Sequence, residues 1–446
     1  MKMQKPNKRF LSILFTLLLA LVMCISMTML ALAAGDPIAG TEDAPAQAAI
    51  TKILQMPSGI DAPNVTFNFL ILKKFVNGNT GDYYFQFMPE ITPKSVTFTP
   101  GDVGSTADLI TSIPKQVPVI AAEDPVFPST GVYTYTILEQ KSLTGGTSID
   151  PDKEKITFSY AQYELTFVVK EKADKSGLYV AAIAAKIINK DNSSQNPGDK
   201  VDPTPGTGGS YNALVFTNAY TKTTGGIDPT IPANQVLVIS PTVTGEFADP
   251  TRYFTYELYV IKHALYPGTG IIYKAYILDD SDGIVDPINN QYTSYTYTIK
   301  TDGNGRKYLE IPEKSNRAVN LKQGQRLVFT DLHVGTSYSA LQKGTYDYTP
   351  RVDIIADGAL ITPPLTAPIS AALSTGTIII GAAKNSAAFT NDYKSIPITG
   401  LVINNLPFIM ILVLAAGAFI LFIILKYRKR RDYASDYKTL VNPIIK

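Results

Sequence analysis

Two long apolar segments lie near the ends of the chain, and the first of them follows a short basic stretch. It covers residues 10–34, comes directly after Lys8 and Arg9, and ends in the small-residue pattern Ala-Leu-Ala of residues 31–33. A basic region, an apolar region and an A-x-A site in this order predict a secretory signal peptide over residues 1–34. Because the apolar region is long, an uncleaved N-terminal anchor is the alternative.

The second apolar segment lies near the C-terminus. Residues 406–425 carry no charge and are followed at once by the basic run of residues 426–431. A segment of this length spans the hydrocarbon core of a bilayer, and the basic run after it stays on the cytoplasmic side. The pattern predicts a transmembrane helix over residues 406–425 and a basic cytoplasmic tail over residues 426–446, with the membrane as a partner.

Between these segments, polar and apolar residues alternate with the period of β-strands. Residues 292–299 alternate Tyr and Thr, residues 253–261 alternate less strictly, and residues 133–137 are a short copy. Period-2 runs rich in Tyr, Thr, Val and Ile, separated by Gly, Pro, Asp and Asn, are typical of antiparallel β-sandwiches. No part of this body shows a sustained 3.6-residue apolar period. The expected fold class is therefore all-β.

A repeated motif indicates two domains of similar size. The sequence FTNAY at residues 216–220 returns as FTNDY at residues 389–393, and each copy is followed by a break. We expect two tandem Ig-like β-sandwich domains, each closing with a strand that contains the motif; coincidence of a five-residue pattern is the alternative. Residues 192–210 are expected to form an exposed, protease-sensitive loop inside the first domain.

Composition and charge narrow the function classes. With 45% hydrophobic and 17% charged side chains among 446 residues, the chain is neither disordered nor collagen-like. Its single cysteine, Cys24, lies inside the predicted signal peptide, so the mature chain has no thiol for a disulfide, a nucleophile or a metal site. Between residues 35 and 399 acidic residues outnumber basic ones, which argues against nucleic acid as a partner.

The residue types that usually carry catalysis or bind metals are sparse. The two histidines, His263 and His333, have no second His, Cys or paired carboxylate at ligand spacing, so we interpret each as an ordinary surface or strand residue. No phosphate-cradling glycine loop or Gly-x-Ser-x-Gly elbow occurs. We therefore expect no cofactor, no metal and no enzymatic activity. An enzyme with a cluster of polar residues at loop ends is the rival class.

Five motifs in the first domain resemble a known family. They are AITKIL from Ala49, VTFNF from Val65, YTYTILE from Tyr133, YELTFVV from Tyr163 and VFTNAY from Val215. In this order they resemble the pilin isopeptide-linkage domains of Gram-positive bacteria, such as streptococcal-type major pilin subunits, over residues 47–222. The resemblance implies a covalent bond between Lys52 on the first strand and Asn218 on the last, with Glu139 on a middle strand as the catalyst.

The chemistry of such a bond makes the assignment physically reasonable. Amide formation needs a neutral amine to attack, and an acid to polarise the carboxamide while ammonia leaves. Burial among apolar side chains lowers the pKa of a lysine and raises that of a glutamate, so one pocket would prepare Lys52 and Glu139 together. The alternative is a Lys and a Glu on solvated strand faces, with Asn218 in a turn.

The second domain resembles a related repeat of Gram-positive surface proteins over residues 234–394. That repeat carries a Lys on its first strand, a Glu after its middle stretch and an Asn at its close. In this chain Pro241 stands at the Lys position and Gln342 at the Glu position, while Asn391 is kept. The resemblance therefore implies a second β-sandwich without the isopeptide triad, joined to the first by a linker over residues 223–233.

The last motif consists of Ile396, Pro397, Ile398, Thr399 and Gly400, directly before the apolar segment. It resembles the L-P-x-T-G sorting signal, which sortase cleaves between Thr and Gly before it joins the Thr carboxyl to an amine. Ile in place of Leu, and a tail that continues after the basic run, depart from that pattern.

Together these patterns predict a pilin-like or adhesin-type structural protein on the surface of a Gram-positive cell. The expected partners are sortase, cell wall peptidoglycan or other pilin subunits, and a host or surface ligand. The alternative is an uncleaved single-pass membrane protein with a ligand-binding β ectodomain.

Overall fold

The computed structural model describes residues 37–120, 126–143, 149–191, 196–206, 213–290, 298–394 and 398–441. Three features expected from the sequence lie outside this range. They are the signal peptide, Ile396 and Pro397 of the sorting motif, and most of the Tyr/Thr run, of which only the last two residues are described. The predicted loop over residues 192–210 is described only in part.

The first domain is a sandwich of two sheets. One sheet has the strand order β1-β10-β9-β7-β3-β4 with β11 paired to β10, and the other has the order β5-β6-β2-β12-β8. A one-turn helix, α1 (Asp82–Phe85), follows β3. The strands are β1 (Ile38–Ala39), β2 (Ala49–Pro57), β3 (Val65–Val76), β4 (Lys94–Phe98), β5 (Ser105–Ala107), β6 (Ile110–Pro118), β7 (Gly131–Glu139), β8 (Glu154–Thr157), β9 (Gln162–Glu171), β10 (Leu178–Asn189), β11 (Lys200–Val201) and β12 (Val215–Lys222).

The second domain is also a sandwich of two sheets. Its larger sheet has the order β17-β18-β15-β20-β13-β26-β22-β23 with β16 on β15, and its smaller sheet has the order β19-β14-β21-β24 with β25 on β21. The strands are β13 (Leu237–Thr244), β14 (Phe254–Ile261), β15 (Ile272–Asp279), β16 (Ile284–Val285), β17 (Ile299–Thr301), β18 (Lys307–Pro312), β19 (Arg317–Leu321), β20 (Gln325–Phe329), β21 (Ser337–Gln342), β22 (Tyr348–Ala356), β23 (Ala359–Thr366), β24 (Leu373–Ser374), β25 (Ile378–Ile379) and β26 (Asn385–Tyr393). Short 3₁₀ turns cover Pro232–Asn234 and Pro287–Asn290.

The period-2 pattern of the sequence builds both cores. Along β9, for example, the apolar positions Tyr163, Leu165, Phe167 and Val169 are at most 2% exposed, while the residues between them lie on the outer face. Because successive side chains of a strand point to opposite faces, this alternation gives each sheet one buried and one solvated side. The all-β, two-domain fold class expected from the sequence is confirmed. The first sandwich begins earlier than residue 47, since β1 pairs with β10.

In each domain the first long strand and the last strand are parallel neighbours. β12 runs parallel to β2, and β26 runs parallel to β13. The remaining strand pairs of both domains are antiparallel among the residues described. Opposite force on the start of the first strand and the end of the last strand would shear such a parallel pair, so a bond across it would oppose separation of the two strands.

The two domains are packed together through the linker and both histidines. His263 is 4% exposed and its Nε2 lies 3.2 Å from the carbonyl oxygen of Leu109 in the first domain. His333 stacks on Tyr266 with 3.8 Å between ring centroids, and its backbone bridges to Thr223. Burial lowers the pKa of both imidazoles, for His333 to about 4. The interpretation of His263 as an ordinary surface or strand residue was wrong, because strand period does not reveal which faces meet between domains.

The linker itself is docked on the second domain. The Thr223 hydroxyl donates to the carbonyl oxygen of Leu332 at 2.9 Å, and the main-chain N–H of Val334 donates to the carbonyl oxygen of Lys222 at 2.9 Å. At Gly225 an added Cβ would lie 1.8 Å from the carbonyl oxygen of Thr330, so only glycine fits there. Residues 222–225 therefore join the domains closely.

A long helix, α2 (Ile398–Val441), follows the second domain. Its part from Leu406 to Arg431 is long and apolar enough to cross a membrane, with a mean hydropathy of 3.2 and no burial against the rest of the described chain. The helix extends beyond the predicted 406–425 at both ends. It begins at Ile398, and it continues through the basic run to Val441.

Candidate functional site: a buried amine, carboxylate and amide

Three polar side chains meet inside the first sandwich. Lys52 lies on β2, Asn218 on β12, and Glu139 at the end of β7 in the facing sheet. In the parallel β2–β12 pair, Lys52 is opposite Phe216 and Asn218 is opposite Leu54. Lys52 and Asn218 are therefore two register positions apart, which places their side chains on the same face of the sheet. That face packs against the sheet that carries Glu139.

One carboxyl oxygen of Glu139 contacts both Lys52 and Asn218, the two residues of the expected bond. Glu139 Oε1 lies 2.7 Å from Lys52 Nζ and accepts a hydrogen bond of 2.9 Å from Asn218 Nδ2. The contact to Nζ is an ion pair without hydrogen-bond geometry, since Nζ has no correctly directed acceptor. The second oxygen of the carboxyl, Oε2, accepts the main-chain N–H of Ser159 at 3.1 Å. The geometry brings an amine and a carboxamide into contact with one oxygen of the same acid.

Burial controls the protonation of this cluster. Lys52 and Asn218 are 0% exposed and Glu139 is 3% exposed. Desolvation lowers the pKa of the Lys52 ammonium to about 8, although the nearby Glu139 carboxylate opposes the shift. Desolvation also raises the pKa of Glu139, against the opposing effect of Lys52. Each shift favours the neutral form, so transfer of one proton from the amine to the carboxyl becomes easier than in water.

Aromatic side chains form the walls of the site. Lys52 Nζ lies 4.5 Å from the ring centroid of Phe67. The rings of Phe69 and Phe216 are 5.0 Å apart, and Tyr163 packs on Phe216 at 5.3 Å. These rings exclude water, and among them Phe67 offers an ammonium a cation–π contact. An amide in place of the ammonium would remove the cost of burying the charge.

Two residues of the site were missed by the sequence analysis. Ser159 acts through its main-chain N–H, which also donates to Asn218 Oδ1 at 2.6 Å. Asp191, just after β10, binds the turn that contains Ser159. A main-chain donor leaves no trace in residue type, and Asp191 lies 32 positions from Ser159 in the chain. No sequence signal could have found either residue.

The corresponding place in the second domain has the same framework and different side chains. In the parallel β13–β26 pair, Pro241 is opposite Phe389 and Asn391 is opposite Val243. Pro241 therefore occupies the register position of Lys52, as the alignment of motifs implied. Gln342 and Asn391 form two reciprocal hydrogen bonds of 2.6 and 3.2 Å. With no amine and no titrating acid, these side chains cannot form the amide.

Tyr256 completes this second cluster, and the sequence analysis missed it. Tyr256 pairs with Gln342 across β14 and β21, just as Phe69 pairs with Glu139 across β3 and β7. Its ring lies 5.0 Å from Phe389 at 59°, close to the 5.0 Å and 58° of the Phe69–Phe216 pair. The hydroxyl donates to Gln342 Oε1 at 3.0 Å. A neutral hydrogen-bonded network thus fills the second site.

The sorting motif lies at the start of the C-terminal helix and directly before it. Ile396 and Pro397 lie outside the described residues, while Ile398, Thr399 and Gly400 begin the backbone of α2. Within the described ranges no group of three or more His, Cys, Asp or Glu side chains could hold a metal ion.

Comparisons with known proteins give one family match and a set of similar structures. Residues 235–393 match a family described as a domain of unknown function, DUF7601. No curated protein matches the chain. Among solved structures, the chain is similar to a major pilin from Streptococcus pyogenes, with 17% identity and a TM-score of 0.29 over 78% of this chain and 99% of the pilin.

Two other solved structures show comparable likeness. The T-13 major pilin of Streptococcus pyogenes has 15% identity and a TM-score of 0.28 over 80% of this chain and 99% of that chain. A pilus-presented adhesin has 12% identity and a TM-score of 0.22 over 79% of this chain and 100% of the adhesin. At these values, function has to be argued from the residues of this chain.

Proposed function

We propose that this chain is a cell-surface structural protein of pilin or adhesin type, whose first domain is closed by an amide bond between Lys52 and Asn218. The observation that carries the proposal is the shared contact of Lys52 Nζ and Asn218 Nδ2 with Glu139 Oε1, in a site with almost no solvent exposure. A buried ammonium, carboxylate and carboxamide in contact are costly as a purely structural arrangement. In a cross-linking reaction each group has a role: the amine is the nucleophile, the carboxamide is the electrophile and the carboxyl transfers protons.

The reaction needs only the three side chains. Transfer of one proton from Lys52 to Glu139 gives a neutral amine and a carboxylic acid. The amine attacks Cγ of Asn218, and the new C–N bond forms as the bond from Cγ to Nδ2 breaks. Glu139 supplies the proton with which Nδ2 leaves as ammonia, and it regains one from the attacking nitrogen. The products are one secondary amide, one ammonia and Glu139 in its protonated form, so atoms and charge balance.

The bond would serve a mechanical purpose. It joins the two parallel strands on which force acts when the domain is pulled by its ends. It also encloses most of the domain in one loop, which restricts the unfolded chain as a disulfide does. Unlike a disulfide, an amide is indifferent to redox conditions. These properties suit an exported, load-bearing protein without cysteine in its mature part.

The proposal extends to attachment at the cell surface. Sortase would cut after Thr399 and join the chain to peptidoglycan or to another subunit, while α2 holds the precursor in the membrane. An uncut single-pass protein is the second candidate, favoured by the continuous helix that carries the apolar segment and its basic run as far as Val441. The two candidates share the same ectodomain and differ in the fate of the tail.

Digestion of isolated cell walls tests both parts of the proposal on the native protein. We expect a peptide that ends at Thr399 on its linkage to the wall, and a branched peptide that joins the segments of Lys52 and Asn218. Recovery of only full-length chain, with its tail, from membranes would establish the uncut candidate. Separate unbranched peptides for Lys52 and Asn218 would refute the cross-link.

A further inference from the structure

The amide-forming reaction creates a negative charge that the three proposed residues do not stabilise. When the amine attacks Cγ of Asn218, the carbonyl oxygen Oδ1 becomes an oxyanion. Glu139 lies on the nitrogen side of the carboxamide, where it contacts Nδ2. Preorganised donors 2.7–3.1 Å from such an oxygen are commonly the largest single contribution to acyl-transfer catalysis. A donor for Oδ1 is therefore required by the chemistry.

The main-chain N–H of Ser159 occupies the required place. It donates to Asn218 Oδ1 at 2.6 Å, and Ser159 is only 2% exposed. We infer that this N–H is the oxyanion donor of the cross-linking reaction, and that Asp191 is the positioning residue that holds it in place. The inference rests on the proposed function, since it names a further part of the same site.

Asp191 fixes the donor through both of its carboxyl oxygens. Oδ2 accepts from the Ser159 hydroxyl at 2.6 Å and from the main-chain N–H of Thr217 at 3.0 Å. Oδ1 accepts from the N–H groups of Tyr160 at 2.6 Å and Ala161 at 3.0 Å. Thr217 directly precedes Asn218 on β12. One carboxylate thus ties the turn before β9 to the strand that carries the electrophile.

The main-chain N–H of Ser159 lies between Glu139, the acid, and Asn218, the electrophile, and donates to both. Besides Asn218 Oδ1 it reaches Glu139 Oε2 at 3.1 Å. Glu139 is already protonated when the amine attacks, so its oxygen is a weaker acceptor and the N–H bonds mainly to Oδ1 as charge develops there. When ammonia leaves, Oδ1 returns to a carbonyl oxygen, and the donor then holds the new amide. No group beyond the chain takes part in the step.

An electrostatic role for Asp191 predicts the opposite outcome. The negative charge of Asp191 opposes the lowering of the Lys52 pKa by burial, and so favours the unreactive ammonium. If Asp191 acted only through this charge, its removal would give more neutral amine and a faster reaction. If it acts through the position of Ser159, its removal gives a slower reaction. The sign of the change in rate separates the two roles.

Cell-free synthesis of the full chain in lipid nanodiscs, quenched at intervals, measures the rate. Mass spectrometry of digests gives the fraction of branched Lys52–Asn218 peptide at each time. We expect Asp191→Ala to slow bond formation by about tenfold or more, since displacing a donor costs part of the hundredfold or greater effect of deleting one. Asp191→Asn keeps one acceptor oxygen and should lie between Asp191→Ala and wild type.

Controls separate catalysis from folding. Asp174→Asn alters an acid in the turn between β9 and β10, remote from the site, and should react at the wild-type rate. Combined with Lys52→Met, which removes the nucleophile without leaving a buried charge, Asp191→Ala should reach the same trypsin-resistant fraction as Lys52→Met alone. Because the charge of Asp191 acts to raise the pKa of Lys52, both Asp191 variants should reach their plateau rate at a lower pH than wild type. The loss of positioning should appear as a lower rate on that plateau, where the amine is neutral in every variant.

The outcomes are distinguishable from failure of the proposed function. Wild type without any branched peptide would refute the cross-link itself. A cross-linked wild type with Asp191→Ala reacting equally fast or faster would overturn the inference and leave the cross-link intact. If Asp191→Ala fails to fold, Asp191→Asn decides in the same way, and a wild-type rate in that variant overturns the inference.

Discussion

Replacing Glu139 by alanine is expected to be among the most destabilising single changes in the first domain. The variant loses the cross-link, which on the chain-entropy account contributes about 5 kcal/mol for a loop of more than about 100 residues. It also leaves the Lys52 amine buried without its carboxylate, at 0% exposure, and removing one partner of a buried pair costs about 3–5 kcal/mol. Together these effects rival the whole stability of an ordinary domain, about 5–15 kcal/mol.

A matched variant isolates the contribution of the bond. Lys52→Met removes the amine and its charge and keeps an unbranched apolar side chain of similar length, so it should lose the cross-link alone. Calorimetry measures the change in the unfolding of the first domain, and the second domain, which carries no substitution, is the internal reference. In wild type the second domain should unfold first and be digested first by protease. In Lys52→Met the first domain should unfold several kcal/mol more easily, and unchanged unfolding would contradict the cross-link.

Restoring the second site is expected to create a second cross-link. The triple variant Pro241→Lys, Gln342→Glu and Tyr256→Phe supplies the amine and the acid, and it removes the hydroxyl that now bonds Gln342. The strand register and the ring geometry already match those of the first domain. The variant should lose a second ammonia, yield a branched peptide between positions 241 and 391, and resist unfolding of the second domain by an additional few kcal/mol.

Partial restorations serve as controls for this experiment. Pro241→Lys alone buries an amine next to a glutamine that cannot titrate, so it should form no bond and should destabilise the second domain by a few kcal/mol. Gln342→Glu alone buries an acid without an amine and should likewise form no bond. A triple variant that folds but gains no branched peptide would show that the framework lacks a required group. The turn that presents Ser159 in the first domain is the first place to compare.

The sequence predicted the framework better than the contacts within it. Strand type follows from period-2 alternation, and the motifs pointed to Lys52, Glu139 and Asn218, which lie together in the structure. Tyr256 could not be recognised as part of the second cluster without the strand register that places it opposite Gln342. Local patterns specify strands, whereas register and cross-sheet contacts depend on the whole fold.

Other features depended on packing between distant segments. The contact of His263 with Leu109 arises only when two complete domains meet, so His263 could not be recognised from the sequence as an interdomain residue. Asp191 and Ser159 belong to different loops, and one of them acts through its main chain. Buried polar networks of this kind are set by tertiary structure rather than by residue spacing.

The intact mass of the full chain, with digestion to locate any change, tests the central claim most directly. Wild type should weigh less than the sequence between its observed termini by one ammonia. The deficit should map to a branch between Lys52 and Asn218, and Glu139→Ala should have its full mass. A wild-type chain of full mass would contradict the cross-link. A deficit located in residues 234–394 would show that a different lysine reacts and that the proposed site is wrong.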